Sequence, residues 1–144
     1  MHFLFPFMDK FIELLHFLLP NAVVPKPVQP HKLTHDLQIQ SAYISDPNIY
    51  KFVGADFLYH MQEGMKYVER NVRHVGVPLL MILAGEDQIV DNRINLNFYN
   101  RLDDSDKEIQ VFEGLRHETL NELRRQEPIE RIKRFLSERL RAFS

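Results

Sequence analysis

LMILAGEDQIVDN, residues 80–92, runs an unbroken apolar segment into Gly85 and then a lone Asp87. IQVFEGLRHETLNE, residues 109–122, does the same a little later, with apolar residues leading to Gly114 and a lone His117. In the first stretch, VGVPLLMILAG, apolarity is continuous rather than alternating, which fits a strand covered on both faces as in a parallel sheet. Between the two stretches, NRINLNFYNRL places Ile94, Phe98 and Leu102 at i, i+4 and i+8, so Asp91 and Asn92 open a helix there. DDSDK makes a polar turn, EIQVF is the next strand, and EPIERIKRFLSERLRAF is a terminal helix with Ile129, Ile132, Phe135, Leu136 and Leu140 along one side. Strand, helix, strand, helix in that order makes residues 76–144 a βαβα unit, and the fold class α/β.

Upstream the character differs. Phe3, Phe7, Phe11, Leu14, Leu15 and Leu18 form a stripe at helical spacing, with Asp9, Lys10 and Glu13 elsewhere on the wheel. Those charges, and the lack of a basic start, argue against a signal peptide or a spanning helix. The stripe fits a helix packed on a core and ended by Pro20; the sharper alternative is a lid helix that touches lipid or a greasy substrate. NAVVPKPVQP, residues 21–30, reads as an extended connector. Thr34 or Asp36 is a cap for a short helix that stops before Asp46-Pro47, and a longer helix runs from about Gly54 to Val72 with Phe57, Leu58, Met61, Met65 and Val68 on one face.

The totals exclude several functions. The 144 residues suffice for one domain of ordinary size, and the apolar share of 44% with 26% charged places the chain among globular proteins. A formal net charge of -2 leaves no basic face for phosphates, so nucleic acid is not an expected partner. With no Cys, disulfides, thiolate catalysis and Cys-based zinc sites are excluded, and a reducing, cytoplasmic compartment fits. His31 and His35 are four apart, but Pro30 precedes them and no HExxH context surrounds them; they read as a solvated surface pair. His60 and His74 have no partner at ligand spacing, so no metal or cofactor is expected.

In open parallel sheets functional groups gather at the carboxyl ends of strands. Asp87 and His117 both fall there, on strands expected to be neighbours about 4.8 Å apart, which brings the two side chains within hydrogen-bonding reach. A carboxylate on one imidazole nitrogen fixes the tautomer and stabilises the imidazolium formed when the other nitrogen takes a proton. Singly, each residue reads as a turn or capping group. Paired position, the Gly before each, and acid preceding base in the chain favour a relay, matching a Ser, Asp, His order.

AGEDQIVDN followed at this interval by EGLRHETLNE resembles the α/β-hydrolase superfamily, and within it the monoacylglycerol lipases, lysophospholipases and S33-like serine aminopeptidases. KLTHDLQIQSAYISDPNIY is similar to the cap of that group. The resemblance implies a helical cap or lid over residues 1–75 and the C-terminal part of the hydrolase core over 76–144, with two parallel strands. It implies that Asp87 is the triad acid and His117 the triad base, acting on ester or lipid-like small molecules, with the cap forming an acyl-chain pocket. Peripheral contact with a membrane through the N-terminal helix goes with that reading. Asp91 and Glu118 lie in similar stretches and are assigned no catalytic role.

The nucleophile is the gap. The family presents its Ser on G-x-S-x-G, a sharp strand-to-helix turn. Here Gly occurs only at 54, 64, 76, 85 and 114, and no two flank a Ser at that spacing. The serines are Ser41, Ser45, Ser105, Ser137 and Ser144. Two expectations follow. Either a separate N-terminal half chain supplies the nucleophile to a carboxylic-ester hydrolase, or the chain is a truncated, inactive fragment serving at most as a binding module. Two parallel strands are too few for an independent sheet, so the chain alone is expected to be aggregation-prone, molten or partner-dependent.

Overall fold

The computed structural model describes residues 6–25 and 28–142. In chain order these form α1 (Pro6–Leu18), β1 (Val23–Pro25), α2 (Pro30–Leu33), α3 (Leu37–Ser45), β2 (Phe52–Gly54) and α4 (Ala55–Asn71). Then come β3 (Leu79–Ala84), α5 (Asn92–Arg101), β4 (Lys107–Phe112), a 3₁₀ turn at Thr119–Asn121, and α6 (Gln126–Ala142). Contacts divide the chain into two units, one from Met1–Pro27 with Pro47–Val72, the other from Val28–Asp46 with Arg73–Ser144. Residues 28–46, which the sequence groups with the helical region, are thus packed in the second unit.

In the second unit β3 and β4 pair in parallel, with register running from Leu79↔Lys107 to Ala84↔Phe112. Parallel neighbours need a crossover, and α5 supplies it. Asp91 starts that helix, its side chain accepting the Arg93 N–H at 2.9 Å. At the entry to β3 the buried Asp104 accepts the N–H groups of Val75 and Gly76 at 2.9 and 3.0 Å. Those N–H groups, Gly76's first, hold the Asp104 carboxyl below the usual carboxylate range, against the opposing effect of desolvation. Arg131 meets Glu108, and Arg139 meets both Asp106 and Glu108, fastening α6 to β4.

Among the described residues of this unit, Leu33, Leu83, Ala84, Leu102, Leu115, Pro128 and Phe135 are apolar and buried. The stripe expected on α6 is only partly covered: Phe135 is buried and Ile129 and Ile132 are half-buried, but Leu136 and Leu140 are exposed. A two-stranded sheet is too narrow to cover the full length of a helix face. On α3 the N-cap is Asp36, which accepts from Gln38 and Ile39, and the helix ends at Ser45, before Asp46-Pro47.

The first unit packs α1 on α4 and contains a strand pair that the sequence reading did not anticipate. β1 and β2 run antiparallel, with Val23↔Gly54, Val24↔Val53 and Pro25↔Phe52. The stretch read as an extended connector is therefore half of a ladder, continued by Ala55 N–H donating to Ala22 O at 2.8 Å. Its partner lies far along the chain, which local pattern does not reveal.

The buried face of α1 also differs from the expected stripe. Ile12 is buried and Leu15 and His16 are half-buried, whereas Phe11, Leu14 and Leu18 are exposed. Phe3 and the Phe7 side chain lie outside the described residues. On α4, Leu58, Met61 and Met65 are half-buried with Ala55 and Gln62 buried, while Phe57 and Val68 are exposed. Among the described residues no helix is long and apolar enough to cross a membrane.

Candidate active site

The ends of β3 and β4 come together through two glycines with different jobs. Gly85 N–H donates to Phe112 O at 2.9 Å, so the chain just past β3 is pressed against the chain just past β4. A Cβ on Gly85 would sit 2.8 Å from the Glu113 Cα, a backbone atom that no rotamer change can move. Gly114 has φ 74°, the left-handed region that a side chain disfavours. Glu86 N–H donates to Leu115 O at 2.9 Å, which locks the second loop to the first.

On this frame Asp87 and His117 meet. His117 Nδ1 lies 2.8 Å from Asp87 Oδ2. The other carboxylate oxygen, Oδ1, accepts the N–H groups of Ile89 and Val90 at 2.8 and 2.9 Å. The Asp87 side chain is only 7% exposed, and that of His117 is 34% exposed. The carboxylate is thus fixed by its own loop and aims one oxygen at the ring. Facing that oxygen, Nδ1 carries the proton of the neutral imidazole, which leaves the Nε2 lone pair free to accept another. Among the described residues no hydrogen-bond partner is found for Nε2. Asn92 completes the frame, its Nδ2 donating to the last carbonyl of β3, Ala84 O, at 2.6 Å.

The loop carrying His117 is held from within by a residue that the sequence did not single out. Glu122 is 1% exposed. Its Oε1 accepts the Arg116 N–H at 2.9 Å, the His35 N–H at 3.1 Å and a bond from His35 Nδ1 at 2.8 Å, and Oε2 accepts the Leu123 N–H at 3.1 Å. Burial pushes this carboxyl up, but the N–H of Arg116, then the His35 ring and N–H, then Leu123, outweigh it and hold it below the usual carboxylate range.

The segment 31–36 braces the same loop. Thr34 Oγ1 donates to Asn121 O at 2.8 Å, the Glu118 N–H donates to Leu33 O at 2.9 Å, and Arg116 Nη1 donates to His31 O at 2.6 Å. His35 is accordingly no solvated partner of His31: its ring lies against Glu122, and the main chain of His31 accepts from Arg116. These contacts span more than 80 residues, and the only local hint was a Glu five positions after His117.

The remaining candidates are engaged elsewhere. Ser45 Oγ donates to Ser41 O at 3.0 Å and Ser137 Oγ to Arg134 O at 2.9 Å, each within its own helix. Asp91 is bound to Arg93, and Glu118 accepts from Asn121 Nδ2. His74 and His60, both read as having no partner at ligand spacing, lie 2.7 Å from Asp104 and 3.4 Å from Asp56 respectively.

Comparisons with known proteins agree with this architecture. Residues 2–124 match the family model Hydrolase_4, described as serine aminopeptidase, S33. The uncharacterized protein YnbC of Escherichia coli strain K12 is 26% identical over 132 residues, covering 92% of this chain and 23% of that protein. An uncharacterized abhydrolase domain-containing protein of Dictyostelium discoideum is 23% identical over 129 residues, covering 89% of this chain and 14% of that one. Among solved structures, the monoacylglycerol lipase of Paleococcus ferrophilus superposes with a TM-score of 0.83 at 19% identity, covering 92% of this chain and 52% of that one. A soluble variant of monoglyceride lipase from Saccharomyces cerevisiae, in complex with a substrate analog, gives 0.79 at 16% identity, covering 92% and 49%. At these identities the two structures speak for the fold, which is that of the α/β-hydrolases, as the sequence reading expected. The chain spans about half the length of these structures and less than a quarter of the curated relatives it matches.

Proposed function

The chain belongs to the serine aminopeptidase S33 family, and from that premise we propose that it forms the C-terminal part of a serine hydrolase acting on carboxylic esters of the monoacylglycerol or lysophospholipid type. His117 Nε2 takes the proton of a serine hydroxyl as that oxygen attacks the ester carbonyl, then returns it to the departing alcohol. Asp87 holds the ring in the productive tautomer and stabilises the imidazolium. The serine comes from a G-x-S-x-G segment outside these 144 residues, on a companion half chain or an adjoining stretch of the same protein. The observation that carries this reading is the 2.8 Å contact between His117 Nδ1 and Asp87 Oδ2, set at the carboxyl ends of two adjacent parallel strands.

The lipid character of the substrate is supported by the two lipases of like fold and by the exposed Phe11, Phe17 and Leu18 of α1. Such a surface suits an acyl chain or a membrane face. The region 1–75 then supplies the cap, apart from residues 28–46, which pack with the core formed by 76–144, in a cytoplasmic, membrane-peripheral enzyme. A second reading, an inactive fragment kept as a binding module, is favoured by one observation alone: no G-x-S-x-G occurs in this sequence.

The two readings part on mixing. A chain bearing the G-x-S-x-G half is combined with this one, and hydrolysis of a medium-chain p-nitrophenyl ester and labelling by a fluorophosphonate probe are followed. Labelling of the serine half that requires this chain, and that His117→Ala abolishes without loss of assembly, supports the hydrolase reading. A stable complex that neither labels nor hydrolyses supports the inert module.

A further inference from the structure

α1 and α4 bring together three side chains that the ester chemistry does not use. His16, near the end of α1, and Asp56 and His60, one turn apart on α4, place one potential ligand atom each within 4.8 Å of one another. His16 Nδ1 is 3.0 Å from Asp56 Oδ1, and His60 Nε2 is 3.4 Å from that same oxygen. The His16 contact is short but lacks hydrogen-bond alignment, so its Nδ1 is a buried polar atom without a hydrogen-bond partner. Tyr59 stacks flat on the His16 ring, centroids 4.0 Å apart and planes 4° from parallel, which fixes the direction of the imidazole.

Two neutral imidazoles and one carboxylate are a donor set for late first-row divalent ions. Ligand bonds of about 2.0–2.2 Å in tetrahedral geometry put neighbouring ligand atoms roughly 3.3–3.5 Å apart. The two measured separations lie close to that edge length. His16 is half-buried while Asp56 and His60 are exposed, so the cluster has a fixed floor and an open side for entry of an ion and a water ligand.

We propose that His16, Asp56 and His60 bind a divalent transition-metal ion of the zinc type, which fastens α1 to α4. The carboxylate bridges toward both rings, and a water completes the tetrahedron. The ion stabilises this helix pair because its ligands come from segments 40 residues apart in the chain, which are not preorganised when the chain is unfolded. The site forms whether or not the chain takes part in ester cleavage.

The test uses the 144-residue chain with Zn²⁺ as probe, followed by titration calorimetry and by NMR of the histidine ring nitrogens. One equivalent of Zn²⁺ should bind, shifting the ring signals of His16 and His60 while leaving that of His117 in place. His60→Gln and Asp56→Asn, both at exposed positions of α4, should each weaken binding by tenfold or more, whereas His31→Gln should not change it. Helicity by circular dichroism checks that the variants keep their fold. No uptake by the unaltered chain, uptake that His60→Gln leaves unchanged, or ring shifts confined to other histidines would each overturn the assignment.

Discussion

Asp87 has two oxygens and a different task for each. Oδ1 is spent on the N–H groups of Ile89 and Val90, and Oδ2 is thereby aimed at His117. Asp87→Asn preserves the shape of the loop but gives Nδ1 a neutral partner that can stabilise the wrong tautomer. In a reconstituted hydrolase this should lower turnover by about 10³–10⁴-fold with the complex still assembled, as steady-state assay of p-nitrophenyl ester hydrolysis would read. Glu122 acts on stability instead. Glu122→Ala leaves the N–H groups of Arg116, His35 and Leu123 without their acceptor. The expected destabilisation is about 3 kcal/mol, taken from the usual worth of hydrogen bonds to a charged group and read from the urea midpoint of the reconstituted complex.

The same carboxylate sets a pH dependence. Its folded-state pKa is lowered, so the unfolded chain binds the proton more readily, and its contribution is fully present above the ordinary carboxylate range. That contribution is lost as pH falls through the lower folded-state value. Asp104, lowered in the same direction, adds to the decline. The urea midpoint of the reconstituted complex should therefore drop as pH is taken below about 5, and less steeply in Glu122→Gln.

Among the elements, the paired strand ends are the most constrained. Gly85→Ala would place a methyl group against the Glu113 main chain, so β3 and β4 would have to part just where Asp87 and His117 meet. We expect a loss of about 1–3 kcal/mol, together with weakened labelling in the reconstituted complex. A glycine that served only as a flexible link would tolerate the change, and thermal melts of the reconstituted complex would then coincide with those of the parent. At this scale the sequence was readable for β3, α5, β4 and α6, because each carries its own period and boundary signals. The β1–β2 pair was not, since a three-residue strand such as Val23–Pro25 has too few positions to show alternation and acquires its identity from a partner across a long loop. The α1 stripe was misassigned by one position, because its apolar residues nearly encircle the helix and only packing against α4 selects Ile12, Leu15 and His16.

For the whole molecule, the parallel sheet has two strands, and both strands of that sheet have an outer edge without a partner among the described residues. Leu37, Leu136 and Leu140 are exposed in the unit that contains it. Such a chain buries little apolar surface against the entropy of ordering it. Purified alone, it should bind a hydrophobic dye and melt without a sharp transition, and addition of the segment supplying the preceding strands should restore cooperativity. A soluble monomer with a steep melt at micromolar concentration would contradict this.

What the sequence settled by itself was the α/β order of residues 76–144 and the positions of an acid and a base at two strand ends. Those features are encoded locally, in apolar runs, turn residues and helical spacing. Only the tertiary structure decided that Glu122, His35 and Thr34 support the His117 loop, and that His16 meets Asp56 and His60. Apart from the bond between Glu122 and Arg116, six residues apart, each of those meetings joins segments 40 or more residues apart in the chain. A hydrogen bond across such a distance leaves no periodic trace in either segment, because the two sides are selected by the packing that brings them together.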